Sequence, residues 1–187
     1  ATRRAKKYAQ QALELDSTIA DAHVVLATIS LYKDWDLKAA EFHLKRAIEY
    51  NPNSADAHTH YGWLLCSKNK DESISEMKKA IEIDPTHPLY SGYLAWLLMW
   101  YGRYDESIEE AQKTLEVSPD YPMAYYVMGS AYTQKGMYDK AFETYAKLPP
   151  QSGFESGLGI AYAKAGMKNE ALKLIDEMKK MNSYWYT

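Results

Sequence analysis

Five histidines and one cysteine are the first side chains of this sequence to consider for metal binding or catalysis. His58 and His60 are two residues apart, so on a helix they point to different sides, whereas a zinc pair on one helical face needs a spacing of four. The other histidines fall in separate predicted helices or loops without a carboxylate motif around them: His23, His43 and His87. We therefore expect no metal site and no cofactor, and we interpret His58 as a packed helix residue.

Nucleophilic and acid–base chemistry has equally little support. Cys66 has no neighbouring motif that marks a nucleophile, and a half-buried thiol packed as a small hydrophobe is the simpler interpretation. Glu106, Glu109 and Glu110 lie on the polar side of a predicted helix, where such runs solvate a surface. The stretch "GLGIAYAKAG" at 157–166 superficially resembles a nucleotide-binding loop, but it falls within a helix of the repeat described below. We expect no enzyme activity in this chain.

Composition and charge argue against several other classes of function. The 187 residues have a net charge of −3, with Lys and Arg scattered among Asp and Glu, so we expect no direct binding of nucleic acid. The longest apolar stretch, "YLAWLLMWY" at 93–101, is too short for membrane insertion. A single cysteine rules out an internal disulfide framework and favours a reducing compartment, so we expect a cytoplasmic location. Because the chain begins with Ala1, we expect a piece of a larger protein.

An internal repeat sets the elements that would position any site. The phrase "YGRYDESI" at 101–108 returns as "KGMYDKAF" at 135–142, and a second phrase recurs as "AIEYNP" at 47–52 and "AIEIDP" at 80–85. A small residue follows each loop phrase at steps of 35, 33, 34, 34 and 30 residues: Ala5, Ala40, Ser73, Ser107, Ala141 and Ala171. Because further columns of residues keep the same steps, the period is a property of the fold.

Each repeat unit is predicted to contain two helices. In the third unit, Ser91, Leu94 and Leu98 recur at helical spacing. Gly102 can adopt the left-handed conformation that ends a helix. Pro119 closes the second helix, because residues before proline are steered away from helical geometry. One unit alone could not bury its apolar face, so the pattern predicts an all-α solenoid of stacked helix pairs.

These columns resemble the tetratricopeptide repeat, in which a large residue, Leu, Gly or Ala, and Tyr mark the first helix, and Ala, an aromatic or aliphatic residue, Ala and Pro mark the second. The resemblance covers the whole chain and implies one domain, 1–187, built as a right-handed superhelix of antiparallel helix pairs. It places the repeats at 20–54, 55–87, 88–121, 122–151 and 152–181. Residues 1–19 are interpreted as the second helix of an earlier repeat, and 182–187 as the start of a further one.

A longer segment gives a closer likeness. The stretch "YKDWDLKAAEFHLKRAIEYNPN" at 32–53, together with "KGMYDKAF", is similar to repeat arrays of bacterial signalling and regulatory proteins. In those proteins the attached domain is commonly a winged-helix regulator, a nucleotide cyclase or a Ser/Thr kinase. The resemblance implies that this chain is a fragment of a larger bacterial regulatory protein, although these residues do not indicate which domain is attached.

The resemblance also assigns a binding surface, because the first helix of each repeat lines the concave face of such a solenoid. The register places on that face the candidate partner-binding residues Tyr32, Thr59, Trp63, Leu89, Tyr93, Trp96, Met99, Trp100, Tyr126 and Ser130. Helical spacing supports this in the third unit, where Leu89, Tyr93 and Trp96 form a stripe distinct from the core stripe. Large aromatic residues dominate binding hot spots, so we expect these rings to contact a partner. The alternative is that they fill the inner curve against neighbouring helices.

Some family members hold a partner's C-terminal carboxylate with Lys and Asn side chains in the groove. The corresponding positions in the first two units of this chain are Val24, Thr28, Tyr32, Thr59, Trp63 and Ser67. This lining instead favours an apolar or amphipathic peptide. We therefore expect a non-catalytic protein–protein interaction scaffold that binds a peptide or a partner domain.

Two other functions stay open at this point. The chain could be a structural or self-associating spacer or sensor module whose groove is occupied by its own parent chain, with self-association through the C-terminal "MNSYWYT" at 181–187. It could also hold a small apolar ligand between its tryptophans. A concentration-dependent mass would favour the first alternative, and quenching of tryptophan fluorescence would favour the second.

Overall fold

The structure is a computed structural model that describes residues 2–149 and 152–183, with side chains described as far as Lys180. Within these ranges every regular element is an α-helix apart from a π-helical turn at Ser30–Asp34. The helices are α1 Thr2–Leu15, α2 Ala20–Ile29, α3 Leu37–Tyr50, α4 Ala55–Leu65, α5 Lys70–Ile83, α6 Pro88–Trp100, α7 Tyr104–Val117, α8 Pro122–Gln134, α9 Tyr138–Tyr145, α10 Glu155–Lys164 and α11 Lys168–Ser183. The predicted all-α fold class is confirmed.

The chain forms two compact units, residues 1–94 and 95–187, and the boundary between them falls inside α6. Unit 1 contains α1 to α5 and the first half of α6, and unit 2 contains the rest. The division into repeats by sequence stays a prediction. Of the predicted start of a further repeat at 182–187, the last four residues lie outside the described part of the chain.

Polar side chains begin three helices of unit 1. The Asp36 carboxylate accepts a hydrogen bond from the amide of Ala39 at 3.0 Å. At the start of α5, the side-chain oxygen of Asn69 accepts one from Glu72 N, and at the start of α4 the Ser54 hydroxyl does the same for Ala57 N. The first amides of a helix have no partner within it, so each such cap is worth about 1 kcal/mol.

The turns between paired helices use the left-handed backbone conformation. Gly102, Gly136 and Gly166 have φ values of 76°, 73° and 78°, which glycine adopts without the steric cost of a Cβ. Trp35 occupies the same register directly after the π-helical turn Ser30–Asp34, with φ of 54°. Its side chain is 78% exposed. Among the described residues, Trp35 is the non-glycine residue with a left-handed backbone conformation.

The predicted column of small residues lies where paired helices meet. The buried Ser73 hydroxyl donates to the carbonyl oxygen of Gly62 in the preceding helix at 2.7 Å. Ser107, in the next pair, makes the same bond to Ala95 O at 2.7 Å. A larger residue at either serine would separate the two helices, so small side chains at this column set the close approach within a pair.

Two helical glycines of unit 2 make room for the ring of Tyr145. A Cβ on Gly129 of α8 would lie 2.7 Å from ring atom Cε1, and one on Gly157 of α10 would lie 2.8 Å from the hydroxyl oxygen. Tyr145 is 4% exposed, and its hydroxyl lies 3.0 Å from Ser130 Oγ. One buried side chain of α9 thus packs against both α8 and α10, which carry part of the candidate site.

Candidate functional site

In unit 1, three of the predicted groove residues come together with two neighbours. The rings of Trp63 and Tyr93 meet edge to face, with centroids 5.6 Å apart and planes at 80°. Tyr32 lies close enough to Tyr93 and Cys66 for both to act on its hydroxyl. We call this cluster the unit-1 aromatic surface, comprising Tyr32, His60, Trp63, Cys66 and Tyr93. Tyr32 is 50% exposed, so part of this surface is open to solvent.

Two polar groups of the unit-1 aromatic surface, on Tyr32 and His60, contact each other and are uncharged. The hydroxyl of Tyr32 lies 3.2 Å from Nδ1 of His60, and their rings meet edge to face at 5.6 Å. Burial lowers the pKa of His60, although Asp56 opposes that effect. Burial also raises the pKa of Tyr32 to about 12, with smaller contributions from Tyr93 and Cys66. At neutral pH the tyrosine therefore donates its hydrogen to a neutral imidazole.

Cys66 in this surface lacks the features of a reactive thiol. Burial raises the pKa of the thiol, and the backbone hydrogen bond at Ser67 only partly opposes that shift. The thiolate is the nucleophilic form of cysteine, so a raised pKa makes the side chain less reactive. The unit-1 aromatic surface consequently offers contact area and a few hydrogen bonds rather than a catalytic group.

In unit 2, three aromatic rings form a continuous series. Trp96 and Tyr126 meet edge to face, with centroids 6.3 Å apart and planes at 75°. Tyr126 in turn stacks on Phe154, with centroids 4.8 Å apart and planes at 28°. We call Trp96, Met99, Trp100, Tyr126 and Phe154 the unit-2 aromatic surface. Trp100 is 65% exposed, whereas Trp96 and Met99 are half-buried and pack against the core of the unit.

Phe154 is a site residue that the sequence reasoning missed. It lies just before α10, at the N-cap position, rather than within a first helix. The register of the repeat assigns only positions inside that helix to the inner face, so it passes over the residue. The length of the fourth repeat, 30 residues instead of 33 to 35, is the signal that could have found it, because a shortened turn brings loop residues toward the helices.

One predicted site residue is buried, and two others are half-buried and lie outside the two aromatic surfaces, so that their contact with a partner stays a prediction. Thr59 is 2% exposed and donates its hydroxyl to Ala55 O in its own helix at 2.9 Å, so the expectation that it faces a partner is corrected. With its oxygen satisfied by the helix backbone, Thr59 can pack as an apolar residue between helices. Leu89 is half-buried against the core cluster around Ala80, and Ser130 is half-buried and bonded to Tyr145.

A buried ion pair joins the two helices of the α4–α5 pair, away from the aromatic surface. His58 Nδ1 lies 2.6 Å from Glu76 Oε2, and its Nε2 lies 2.9 Å from Pro52 O. Both neighbours are acceptors, so both ring nitrogens donate. Burial alone would raise the pKa of Glu76, but hydrogen bonds from Lys79 and His58 outweigh burial and leave that pKa below its ordinary value.

In the preceding helix pair, α2–α3, a contact between two histidines takes the place of the histidine–glutamate contact. His23 Nε2 lies 3.1 Å from Ser17 O, and His23 Nδ1 lies 2.9 Å from Nδ1 of His43. His43 follows Ala40 by three residues, just as Glu76 follows Ser73 by three, so His43 and Glu76 hold equivalent positions in their repeats. Since Ser17 O can only accept, His23 donates through Nε2, and in the contact between the two Nδ1 atoms one histidine donates to the other. Burial, with His23 adding to it, lowers the pKa of His43. These histidines therefore act as links between paired helices.

The described residues contain neither a metal-binding cluster nor a helix suited to crossing a membrane. Within residues 2–149 and 152–183, no group of three or more His, Cys, Asp or Glu side chains could hold a metal ion. Over the same residues, none of the helices combines the length and the apolar character that crossing a bilayer requires. The aromatic surfaces are thus the candidates that the geometry supports best.

Sequence comparison matches three stretches of the chain to families of helical repeats. Residues 94–156 match a tetratricopeptide repeat family, and residues 67–87 match another family described as tetratricopeptide repeat. Residues 158–183 match a family described as PPR repeat. No curated protein matches the chain.

Several solved structures resemble most of the chain. PilW, described as a widely conserved type IV pilus biogenesis factor, has a TM-score of 0.81 and 21% identity, covering 98% of this chain and 87% of PilW. Pseudomonas aeruginosa PilF has a TM-score of 0.74 and 19% identity, covering 96% of this chain and 84% of PilF. YrrB, described as a TPR protein with an unusual peptide-binding site, has a TM-score of 0.63 and 19% identity, covering 90% and 89%. At these identities the likeness establishes the fold.

Proposed function

We propose that this chain, which is a tetratricopeptide-repeat protein, is a non-catalytic scaffold that binds an apolar or amphipathic peptide of a protein partner through its aromatic surfaces. The observation that carries the proposal is the exposure of large aromatic rings at the ends of two first helices, Trp100 in α6 and Tyr32 in the π-helical turn that follows α2. Trp100 is 65% exposed and Tyr32 is 50% exposed. Rings of this size contribute much contact area while losing few rotamers, so they are preferred at binding hot spots.

The chemistry of both surfaces supports an apolar or amphipathic ligand. The unit-1 aromatic surface combines Trp63 and Tyr93 with a hydroxyl and an imidazole that bond to each other. In the unit-2 aromatic surface, the ring of Tyr126 meets that of Trp96 at a steep angle and stacks on that of Phe154 at a shallow one. The peptide-binding site for which YrrB is described makes a peptide ligand a reasonable expectation for a chain of this fold.

The protonation states support a role in binding rather than catalysis. Tyr32, with a pKa of about 12, and Cys66, with a raised pKa, both keep their protons at neutral pH. A nucleophile needs the opposite shift or an adjacent base that removes the proton. From the sequence we keep the proposals that the location is cytoplasmic and that the repeats serve a larger bacterial regulatory protein.

A peptide-display selection tests the proposed function. Random peptides are selected on the wild-type chain, and the dissociation constant of each selected peptide is measured against the wild type and Trp96→Ala/Trp100→Ala. We expect the double variant to bind at least about tenfold more weakly, because truncating a hot-spot aromatic typically costs 2 kcal/mol or more. Circular dichroism checks that both proteins have equal helicity.

The matched control is Trp35→Ala, which removes an exposed tryptophan from a turn instead of a first helix. We expect this variant to bind the selected peptides as tightly as the wild type. Selected peptides that bind the folded double variant and the wild type equally would contradict the proposed function. Failure to select any peptide would also count against it.

A second candidate function is self-association, and a specific surface favours it. Ile160 of α10 is 51% exposed, and Leu172 and Ile175 of α11 are 50% and 44% exposed. Exposed apolar side chains on neighbouring helices often mark contact surfaces. Light scattering over a concentration series would show a rising mass for the wild type and a constant mass for Leu172→Glu/Ile175→Glu if this surface mediates association. The predicted contribution of the C-terminal "MNSYWYT" lies, beyond Ser183, outside the described residues.

A further inference from the structure

We propose that the contact between His23 and His43 is an acid-sensitive link, which holds α2 against α3 only while the two imidazoles carry no more than one positive charge between them. The link lies in the first helix pair of unit 1 and shares no residue with the aromatic surfaces. The inference goes beyond the proposed peptide binding and does not depend on it.

The geometry of the link leaves room for a single hydrogen between the two rings. Nδ1 of His23 lies 2.9 Å from Nδ1 of His43, and Nε2 of His23 donates to Ser17 O at 3.1 Å. One Nδ1 atom therefore donates and the other accepts, a condition that a neutral pair meets and a pair with one extra proton also meets. When both rings are charged, each Nδ1 carries a hydrogen, so two donors face each other and the contact breaks.

The surroundings of the link disfavour a second charge. His23 is 5% exposed, and the rings of Phe42 and Tyr50 have centroids 6.4 and 5.7 Å from that of His23. Burial lowers the pKa of His43, and the neighbouring His23 adds to that effect. Among the described residues, no ion pair joins a carboxylate to either histidine. A second positive charge would therefore lie in a largely apolar place without compensation.

The charged groups nearest the link are already paired. On α3, Arg46 lies over the rings of Phe42 and Tyr50 and donates to Glu49 at 2.7 Å. In the turn before α2, the Asp16 carboxylate accepts hydrogen bonds from the amide and the hydroxyl of the same threonine. The residues that α1 and α4 pack against α2 and α3 are hydrophobic: Ala9, Ala12, Leu13, Tyr61 and Leu64.

The α4–α5 pair shows how a carboxylate changes such a link. His58 lies 2.6 Å from Glu76, and Lys79 donates to the same carboxylate at 2.7 Å. In α3 the equivalent positions hold His43 and Arg46, which are also three residues apart. The first pair thus keeps the cation of this arrangement but has an imidazole in place of the anion. A protonated histidine is stabilised in the α4–α5 link and is not stabilised in the α2–α3 link.

We therefore expect the α2–α3 contact to weaken on mild acidification. The open pair binds two protons below pH 6.5, the ordinary pKa of histidine, whereas the closed pair binds at most one. The state that binds more protons gains population as the pH falls, so the closed state is favoured above this pH and disfavoured below it. Between about pH 7.5 and about pH 5.5, one extra proton in the open state shifts the equilibrium about tenfold.

Hydrogen–deuterium exchange followed by mass spectrometry tests the proposal. Protection factors of α2 and α3, corrected for the intrinsic exchange rate, are measured at about pH 7.5 and about pH 5.5. We expect them to fall about tenfold more in the wild type than in His43→Glu, because that variant copies the arrangement of α5 and stabilises a protonated His23. His60 is present in both proteins, so its own titration cancels in the comparison.

Two further variants make the comparison specific. His43→Gln removes the titrating ring and leaves an amide oxygen that can accept from a protonated His23, so it should also lose the additional fall in protection. His87→Gln removes a histidine at an exposed position before α6 and is the matched control, which should respond to pH as the wild type does. Circular dichroism confirms that every variant is folded.

An equal fall in the wild type and in the two His43 variants would overturn the proposal, as would protection of α2 and α3 that does not change with pH. Nitrogen NMR of the wild type gives an independent test that needs no variant. In the native spectrum we expect one protonated Nδ1 for His23 and His43 together at both pH values. A native spectrum in which both Nδ1 atoms carry a hydrogen would overturn the link even if the His43 variants failed to fold.

Discussion

The histidines that first pointed to metal or catalytic chemistry connect paired helices. His58 joins Glu76 at 2.6 Å and Pro52 O at 2.9 Å, and His23 makes the equivalent contacts to His43 and Ser17 O. In both cases one ring nitrogen bonds a backbone carbonyl six residues earlier, and the other reaches the second helix. Each histidine thus fixes the end of one turn and the angle of its helix pair.

The His58–Glu76 pair predicts a large loss of stability when its charge is removed. Both side chains are less than a tenth exposed, and Glu76→Gln would leave a buried histidine without its anionic partner. We expect the free energy of unfolding to fall by about 3 to 5 kcal/mol, as for other broken buried pairs. Urea denaturation followed by circular dichroism measures this change. The control is Glu82→Gln, an exposed position of the same helix, and an equal effect at both would contradict this role for the pair.

The shifted pKa of His60 predicts that stability falls on mild acidification. Burial holds this pKa below its ordinary value of 6.5, so just below pH 6.5 the unfolded chain binds more protons than the folded chain. By linkage, the free energy of unfolding rises with pH in that window. The contribution that depends on neutral His60 is lost as the pH falls from about 7.5 to 5.5. Protonation would also remove the acceptor for the Tyr32 hydroxyl.

Thermal denaturation at about pH 7.5 and at about pH 5.5 measures this effect. We expect the difference in Tm to be smaller for His60→Phe than for the wild type, with some difference left because the pKa of His43 is also lowered. His87→Phe, at an exposed position, is the control and should keep the difference found for the wild type. An undiminished difference in His60→Phe would contradict the assignment.

At the scale of elements, the packing of α8, α9 and α10 depends on a ring held between two glycines. Gly129→Ala would place a Cβ 2.7 Å from the buried Tyr145 ring, which cannot move without disturbing both neighbouring helices. We expect the free energy of unfolding to fall by about 2 kcal/mol, as for other overpacked cores. Chemical denaturation measures the loss.

Gly159→Ala in α10 is the matched control for this prediction. Its Cβ would meet Leu174 at 3.5 Å, an ordinary contact, and alanine favours a helix over glycine by up to about 1 kcal/mol. We therefore expect Gly159→Ala to be neutral or stabilising. Equal destabilisation by the two glycine substitutions would mean that the Tyr145 contact does not set the spacing of these helices.

Features of the helices that recur in the sequence repeats could be predicted, and features that occur once could not. The small-residue column at Ser73 and Ser107 recurs in the sequence, so the close approach of paired helices could be predicted, and both serines bond across their pair. Thr59 was predicted on the inner face but is buried, because the register gives the direction of a side chain and not the depth of the helix packing over it. Phe154 lies outside a first helix, where the register makes no assignment.

At the scale of the whole molecule, the recurring period was sufficient to predict an all-helical repeat protein. It could not predict the division into two compact units inside α6, because that helix continues the same sequence pattern across the boundary at residue 94. Each unit contains its own aromatic surface, with Trp63 and Tyr93 in the first and Trp96 and Tyr126 in the second.

Site-specific photo-crosslinking tests the central claim, binding at the aromatic surfaces, most directly. Benzoylphenylalanine is placed at Trp100, in a first helix, or at Lys113, an exposed position of the second helix α7, and each protein is irradiated with a selected peptide. We predict crosslinked peptide from position 100 and at most background from position 113. Crosslinking at position 113 with none at position 100 would contradict the assignment of the binding surface to the first helices.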